Sequence, residues 1–186
     1  MKIAVDIDGV ILDMVIKVCE IFNEQFDTDY TKDDVKKWEF YKDWNVSEEI
    51  IFKIFYKAYE ESMTLPLIDA DALPILKKLN NQHHVDLVTA RNSKYEIHLL
   101  ERLNSLGIKK GVHYVNLIHV EPKPYDVKIR LDYDILIDDN PNLVKSIENF
   151  PNKRILLYDQ PWNHHVGETE NIKRVYNWKQ IENILL

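Results

Sequence analysis

Short apolar runs alternate with helical patterns along most of the chain, and this alternation restricts the possible folds more than any other feature. The apolar runs, each typical of a buried strand, lie at residues 2–5, 85–89, 115–118, 133–137 and 154–158. The helical patterns lie at residues 10–26, 73–79, 93–107, 178–186 and from 140 onward. Strands that alternate with helices form parallel sheets with helices on both faces. The sequence therefore predicts an α/β fold, a Rossmann-like, three-layer, doubly wound parallel sheet.

One stretch, residues 27–66, breaks the alternation because it carries helical patterns and no strand pattern. Within it, the span Thr31–Asp34 has the spacing of a capping box, which predicts a short helix that ends near Trp38. Residues 45–48 repeat this spacing ahead of an apolar helical stripe at 50–59. We therefore expect a helical insertion between the first strand–helix unit and the rest of the sheet.

Composition excludes several classes of protein. Acidic residues outnumber basic residues by 31 to 24, and the formal net charge of -7 argues against a duplex nucleic acid partner. Cys19 is the only cysteine, which excludes an intramolecular disulfide and a thiolate zinc cluster. Apolar stretches are too short to span a bilayer, and acidic residues interrupt the N-terminal run too early for a signal peptide. We expect a cytoplasmic protein with no membrane partner.

Acidic and hydroxyl side chains follow three of the predicted strands. Asp6 and Asp8 come after the first strand, Thr89 ends the second, and Asp138-Asp139 end a later one. Because parallel strands end at the same edge of a sheet, these groups should converge there. Four carboxylates in one place repel one another unless a cation binds, and a set of oxygen ligands suits Mg²⁺. The sequence therefore predicts a magnesium site at this edge.

The same residues resemble the motifs of a known superfamily. Asp6-Ile7-Asp8-Gly9-Val10, Thr89, Lys128 and Asp138-Asp139 are similar, in this order, to the four motifs of haloacid dehalogenase-like phosphatases. Enzymes of this superfamily carry a cap domain where the helical insertion lies. The resemblance implies a core of residues 1–14 and 68–186 and a small helical cap of residues 15–67.

A narrower resemblance rests on the helical insertion and on the stretch "YDQPWN" at residues 158–163. Both features resemble the corresponding regions of 5'(3')-deoxyribonucleotidases and related nucleotidases. This likeness implies a nucleoside monophosphate as the substrate. The identity of the base and sugar, the preference for 5' or 3' phosphate and the oligomeric state stay open.

The resemblance implies catalytic and metal-binding roles for four carboxylates. Asp6 would attack phosphorus and form an aspartyl-phosphate. Asp8 would protonate the leaving oxygen and then activate water, while its backbone carbonyl would bind the metal. Asp6, Asp138 and Asp139 would bind Mg²⁺ directly or through water.

Further residues are implied to contact phosphate or substrate. Thr89 would donate a hydrogen bond to a phosphate oxygen, and Ala90 follows it in the same loop. Gly9 would let backbone amides approach an anion closely. Arg91 is either a substrate contact or a surface salt bridge, and Trp38 either stacks on a base or fills the core of the cap.

A motif lysine would offset the charge of the phosphate and hold Asp6 in place. Lys123 and Lys128 both precede the acidic strand. The spacing of Lys128 from Asp138 matches the nucleotidase pattern better, so we assign this role to Lys128.

The resulting prediction is a Mg²⁺-dependent phosphomonoester hydrolase that acts on nucleoside monophosphates through an aspartyl-phosphate. One alternative is a phosphatase for another small metabolite, such as a sugar phosphate. Alternatives of another class are a receiver-like switch phosphorylated on Asp and a catalytically silent binding protein. A receiver domain lacks both the helical insertion and a carboxylate equivalent to Asp8, which argues against the switch.

Overall fold

A computed structural model describes all residues, 1–186, and its centre is a six-stranded sheet in which every neighbouring pair is parallel. The strand order is 3-2-1-4-5-6. The strands are β1 (Lys2–Val5), β2 (His84–Thr89), β3 (Leu117–His119), β4 (Ile135–Asp138), β5 (Arg154–Tyr158) and β6 (Ile172–Val175). The parallel doubly wound order confirms the predicted α/β fold class.

Helices cover both faces of this sheet. They are α1 (Met14–Phe26), α2 (Glu48–Glu60), α3 (Ala72–Gln82), α4 (Glu96–Ser105), α5 (Pro141–Ser146) and α6 (Trp178–Leu185). No helix has both the length and the apolar character needed to cross a bilayer.

The strands alternate their side chains between two hydrophobic clusters, one on each face of the sheet. In β1, Ile3 and Val5 belong to the larger cluster, whereas Ala4 belongs to the smaller one. Buried residues of α1, α3, α4 and α6 fill the larger cluster, and α5 contributes to the smaller one. The central strands are buried on both faces, which explains their continuous apolar sequence.

Several predicted boundaries are wrong for local reasons. The first helix begins at Met14 and not at Val10, because residues 7–12 form a turn in which Ile11 and Leu12 N–H donate to Ile7 O. Gly9 adopts a φ of 84° in this turn, which favours glycine.

The helix predicted at Ser93 starts three residues later as α4, because a 3₁₀ turn at Ser93–Tyr95 precedes it. The strand predicted at residues 115–118 is β3, Leu117–His119.

The insertion contains less helix than its sequence suggests. The capping box is confirmed, since Asp34 accepts from Thr31 N at 2.8 Å, but it starts a single 3₁₀ turn and no helix reaches Trp38. The second capping prediction, at residues 45–48, is wrong. Ser47 caps α2 by accepting from Ile50 N.

The two ends of the insertion lie side by side on the core. Asp13 N donates to Pro66 O at 3.0 Å, and Ile68 N donates to Ile11 O at 2.9 Å. The chain therefore leaves and rejoins the core at one place, beside the turn that follows β1. On this basis we propose residues 15–67 as a cap over a core of residues 1–14 and 68–186.

Candidate active site

The predicted site residues meet at the carboxyl edge of the sheet, where β1 and β4 are neighbours. The strand order reverses at this pair, and such a reversal opens a crevice for ligands. Asp6 directly follows β1 and its N–H donates to Ile137 O of β4 at 2.9 Å. Asp138 ends β4, and Thr89 ends β2 on the other side of β1. The topology therefore brings together groups that are far apart in the sequence.

Three buried carboxylates form the centre of the site. Asp6, Asp138 and Asp139 each offer one oxygen, and these oxygens lie within 4.8 Å of one another. The three residues are only 7%, 1% and 3% exposed. We call this group the carboxylate cluster. The Asp8 side chain lies outside it.

Lys128 lies between two members of the cluster. Its Nζ is 2.8 Å from Asp6 Oδ1 and 2.8 Å from Asp138 Oδ2. Burial alone would lower the pKa of Lys128, but the two carboxylates outweigh this effect and raise it. Lys123, the other candidate, is half exposed and pairs with Glu48 at 2.7 Å. Lys128 is therefore the lysine that contacts the carboxylates.

One lysine does not neutralise three carboxylates. Burial raises the pKa of Asp6 to about 7; Lys128 opposes this shift and Asp138 adds to it. Burial also raises the pKa of Asp139 well above its usual value, and the charges of Asp6 and Asp138 add to the effect. Asp139 Oδ1 is a buried oxygen without a hydrogen-bond partner. An unpartnered oxygen and excess negative charge in an all-oxygen donor set fit a hard divalent cation.

Gly9 permits the close approach of two loops. A Cβ atom at this position would overlap Asp139 Oδ2 and lie 2.6 Å from Asp139 Cγ. The backbone also adopts a φ of 84° there. Glycine is therefore required at this position for two reasons: it permits the left-handed turn, and it leaves room for the Asp139 carboxylate.

Arg91 binds Asp8 with two hydrogen bonds. Its Nε donates to Asp8 Oδ2 at 2.7 Å and its Nη2 donates to Asp8 Oδ1 at 2.6 Å. The third nitrogen, Nη1, donates to Ser62 Oγ at 2.8 Å, and the guanidinium lies 5.0 Å from the centre of the Tyr59 ring. Arg91 thus forms a partly buried salt bridge with Asp8 inside the core, and its contacts with Ser62 and Tyr59 link the core to the insertion. The sequence had left a substrate contact or a surface salt bridge open for this residue.

Thr89 remains available to a ligand. Its Oγ1 accepts from Arg91 N at 3.1 Å, so the hydroxyl proton is free to donate elsewhere. Thr89 and Ala90 line a cavity of about 180 Å³ that opens above Asp6. Arg91, Asp8 and Asp139 line it as well.

An aromatic wall also lines the cavity, and it comes mainly from the insertion. The rings that line it are Trp38, Phe40, Tyr41, Phe52, Phe55, Tyr59, Tyr125 and Trp162. Trp38 is half-buried and packs edge-on against Tyr125, with ring centroids 6.2 Å apart. Trp38 therefore lines the cavity and also packs against a ring of the core, and its stacking on a base stays a prediction.

Sequence reasoning assigned no role to three residues that contact the site. Gln160 Nε2 donates to Gly9 O at 2.7 Å, Trp162 Nε1 donates to Asp139 Oδ2 at 3.1 Å, and Asn163 Nδ2 donates to Asp139 O at 2.9 Å. All three belong to the stretch "YDQPWN". The sequence feature that could have identified them is a run of polar and aromatic residues directly after a buried strand.

Several solved structures have a fold similar to that of this chain. The chain is similar to a haloacid dehalogenase-like hydrolase from Streptococcus pneumoniae, with a TM-score of 0.67 and 12% identity over 100% of this chain and 98% of the other. It is also similar to YfnB from Bacillus subtilis, a magnesium-bound protein assigned to the HAD hydrolases, with a TM-score of 0.59 and 12% identity over 99% and 97%. A HAD-superfamily hydrolase from Geobacter sulfurreducens is similar as well, with a TM-score of 0.60 and 13% identity over 100% of this chain and 96% of the other. At such identities the likeness concerns the fold alone.

A search among curated proteins found none that matches this chain. A family model does match, and its description is "5' nucleotidase, deoxy (Pyrimidine), cytosolic type C protein". The match covers residues 1–186, the entire chain. The protein therefore belongs to this nucleotidase family within the haloacid dehalogenase-like phosphatases, and it is a hydrolase of phosphomonoesters.

Proposed function

We propose that the protein is a Mg²⁺-dependent 5'(3')-nucleotidase that acts on nucleoside monophosphates through a phosphorylated Asp6. The observation that carries the proposal is the position of Asp6 on the floor of the cavity. Both of its protein donors, Ile7 N and Lys128 Nζ, bind Oδ1, so Oδ2 is free to react. A carboxylate oxygen that is free, buried and beside an aromatic cavity suits covalent phosphoryl transfer.

In the first step, Asp6 Oδ2 would attack phosphorus while the bond from phosphorus to the leaving oxygen breaks. Asp8 would give its proton to that oxygen. Water would then attack the aspartyl-phosphate, Asp8 would take a proton from it, and inorganic phosphate would leave. Acid–base help of this kind contributes about 10²–10⁴-fold. Because Arg91 binds both oxygens of Asp8, the side chain must exchange this partner during the cycle.

The remaining site residues would position the phosphoryl group. Thr89 Oγ1 has a proton to donate to a phosphate oxygen, and the amide of Ala90 follows it in the same loop. Lys128 would hold Asp6 in place and offset negative charge. Preorganised donors of this kind account for most of the catalysis in phosphoryl transfer.

The carboxylate cluster would hold Mg²⁺ through Asp6, Asp138 and Asp139, with the backbone carbonyl of Asp8 as a further ligand. When bound, the ion supplies positive charge that neutralises the phosphate and the cluster. The buried, unpartnered Asp139 Oδ1 and the all-oxygen donor set support this assignment.

The aromatic wall supports a nucleoside as the leaving group. A ring that stacks on a base contributes about 1–3 kcal/mol, and a sugar phosphate offers no such surface. The family description names pyrimidine deoxynucleotides and cytosolic proteins, and we propose the same substrate class and a cytoplasmic location.

The test compares Asp6→Asn with the wild-type protein on p-nitrophenyl phosphate and on a panel of nucleoside and sugar monophosphates. We expect Asp6→Asn to abolish turnover, and acid quenching of the wild type to trap a phosphoryl adduct on Asp6 that mass spectrometry locates. Asp86→Asn is the control, because Asp86 is an equally buried carboxylate outside the cavity and should keep turnover. A stable phosphoprotein without turnover would instead favour a switch.

A further inference from the structure

The stretch "YDQPWN", residues 158–163, packs against the carboxylate cluster on the side of Asp139. We propose that Trp162 is a positioning residue for metal binding, because its indole N–H fixes the Asp139 carboxylate and turns Oδ1 toward the cation. This inference rests on the proposed magnesium site and assigns a role to a residue outside the ligand set.

The two carboxylate oxygens of Asp139 differ in their hydrogen-bond partners. Trp162 Nε1 donates to Oδ2 at 3.1 Å, whereas Oδ1 has no protein partner. Both side chains are buried, with Trp162 3% exposed. The terminal torsion of an aspartate is intrinsically soft, so a bond to one oxygen sets the direction of the other. The orientation of a metal ligand commonly depends on such a hydrogen bond between a neighbouring residue and the ligand side chain.

The stretch "YDQPWN" also fixes the backbone around the site. Asn163 Nδ2 donates to Asp139 O at 2.9 Å and to Tyr158 O at 2.8 Å. Gln160 Nε2 donates to Gly9 O at 2.7 Å. One short segment thus holds the carbonyl groups of both loops that approach each other at the cluster.

The same segment is itself anchored to the sheet. Arg174 of β6 donates from Nη1 to Asn163 Oδ1 at 2.6 Å and to Asp159 Oδ1 at 2.7 Å. Its Nη2 donates to Asn163 O at 3.0 Å. These hydrogen bonds therefore hold the segment that carries Trp162 in a fixed position. A residue that orients a metal ligand requires such support.

Trp178 provides a matched comparison. A buried indole N–H generally finds an acceptor, and that of Trp178 donates to Val10 O at 3.1 Å. The two tryptophans share burial and hydrogen-bond length, and they differ in whether the acceptor is a metal-ligand candidate. A purely structural role would make them equivalent.

The experiment titrates the whole chain with Mg²⁺ alone by calorimetry, as wild type, Trp162→Phe and Trp178→Phe. We expect Trp162→Phe to weaken Mg²⁺ binding by about 10–100-fold. This is the loss of affinity typical when a residue that hydrogen-bonds a metal ligand is replaced. Trp178→Phe should bind like the wild type. Equal binding by the wild type and Trp162→Phe, or equal losses in both variants, would overturn the inference.

A double-mutant cycle with Asp139→Asn tests whether Trp162 acts through Asp139. We expect Trp162→Phe to cause no further loss of Mg²⁺ affinity in the Asp139→Asn background, and additive losses would contradict the proposal. A wild-type chain that binds no Mg²⁺ would refute the proposed metal site itself, which separates the two failures.

A measurement on the unmodified chain keeps the inference testable if Trp162→Phe fails to fold. The chain has four tryptophans, so its indole N–H resonances can be followed one by one in a ¹⁵N spectrum. We expect Mg²⁺ to shift the Trp162 resonance most and to leave that of Trp178 in place. An unmoved Trp162 resonance at saturating Mg²⁺ would overturn the proposal.

Discussion

Replacement of Gly9 by alanine should separate the cost of a strained turn from the cost of displacing Asp139, the proposed metal ligand. A new Cβ atom would lie 2.6 Å from Asp139 Cγ and overlap Oδ2, so the carboxylate must rotate and lose its bond to Trp162. The backbone φ of 84° adds the penalty of a left-handed conformation. Gly111 provides the control, since its φ is 79° and a Cβ atom added there would meet no other atom within 4 Å.

The magnitudes follow from these two contributions. Gly111→Ala should lower the free energy of unfolding by about 1–2 kcal/mol, which is the left-handed penalty alone. Gly9→Ala also leaves the buried indole N–H of Trp162 without its acceptor, so its total loss should be about 2–5 kcal/mol. For a chain of this length, these losses lower Tm by about 2–8 °C and about 4–20 °C respectively.

The assay is thermal unfolding with and without Mg²⁺, in which binding at a hundredfold excess over Kd stabilises the fold by about 2.7 kcal/mol. Gly111→Ala should keep this Mg²⁺ shift, and Gly9→Ala should lose most of it together with turnover. Equal Mg²⁺ shifts in the two variants would refute the role assigned to Gly9. A Gly9→Ala variant that is no less stable than Gly111→Ala without metal would refute it as well.

Three further predictions concern charge and substrate. Because the raised pKa values of Asp6 and Asp139 mean that their ionised forms destabilise the fold, Tm without metal should fall as pH rises from about 4 through about 7. Thermal scans across pH should show a weaker fall for Asp139→Asn. Lys128→Ala should cost about 3–5 kcal/mol in chemical denaturation because it leaves two buried carboxylates unpaired, whereas Lys123→Ala should leave the unfolding midpoint unchanged. Steady-state kinetics of Trp38→Ala should show a larger rise in KM for nucleotides than for p-nitrophenyl phosphate, and an equal rise would indicate a structural role.

The parts of the fold that follow local rules could be predicted from the sequence. Strands β1, β4 and β5 are buried on both faces, and continuous apolar runs mark such strands clearly. In contrast, β6 was not predicted. It contains Lys173 and Arg174 and lies at the edge of the sheet, so half of its side chains face solvent or other polar groups.

The candidate site divides in the same way. The position of each acidic group after a strand predicted that the groups converge, because parallel topology determines where strands end. The pairing of Arg91 with Asp8 could not be predicted, since it joins residues 83 positions apart through side-chain geometry alone. The contact of Trp162 with Asp139 depends in the same way on how one loop packs against another.

The charge balance of the cluster explains why the site has one lysine and not two. Three carboxylates against the single ammonium of Lys128 leave two negative charges uncompensated, which is the charge that a divalent cation neutralises. A second lysine would stabilise the metal-free fold but would compete with the cation for the same oxygens. With the proposed metal site, the raised pKa values of Asp6 and Asp139 are the cost, in the metal-free state, of an affinity for metal. Binding of the ion should therefore stabilise the fold and leave Asp6 ionised for attack on phosphorus at the same time.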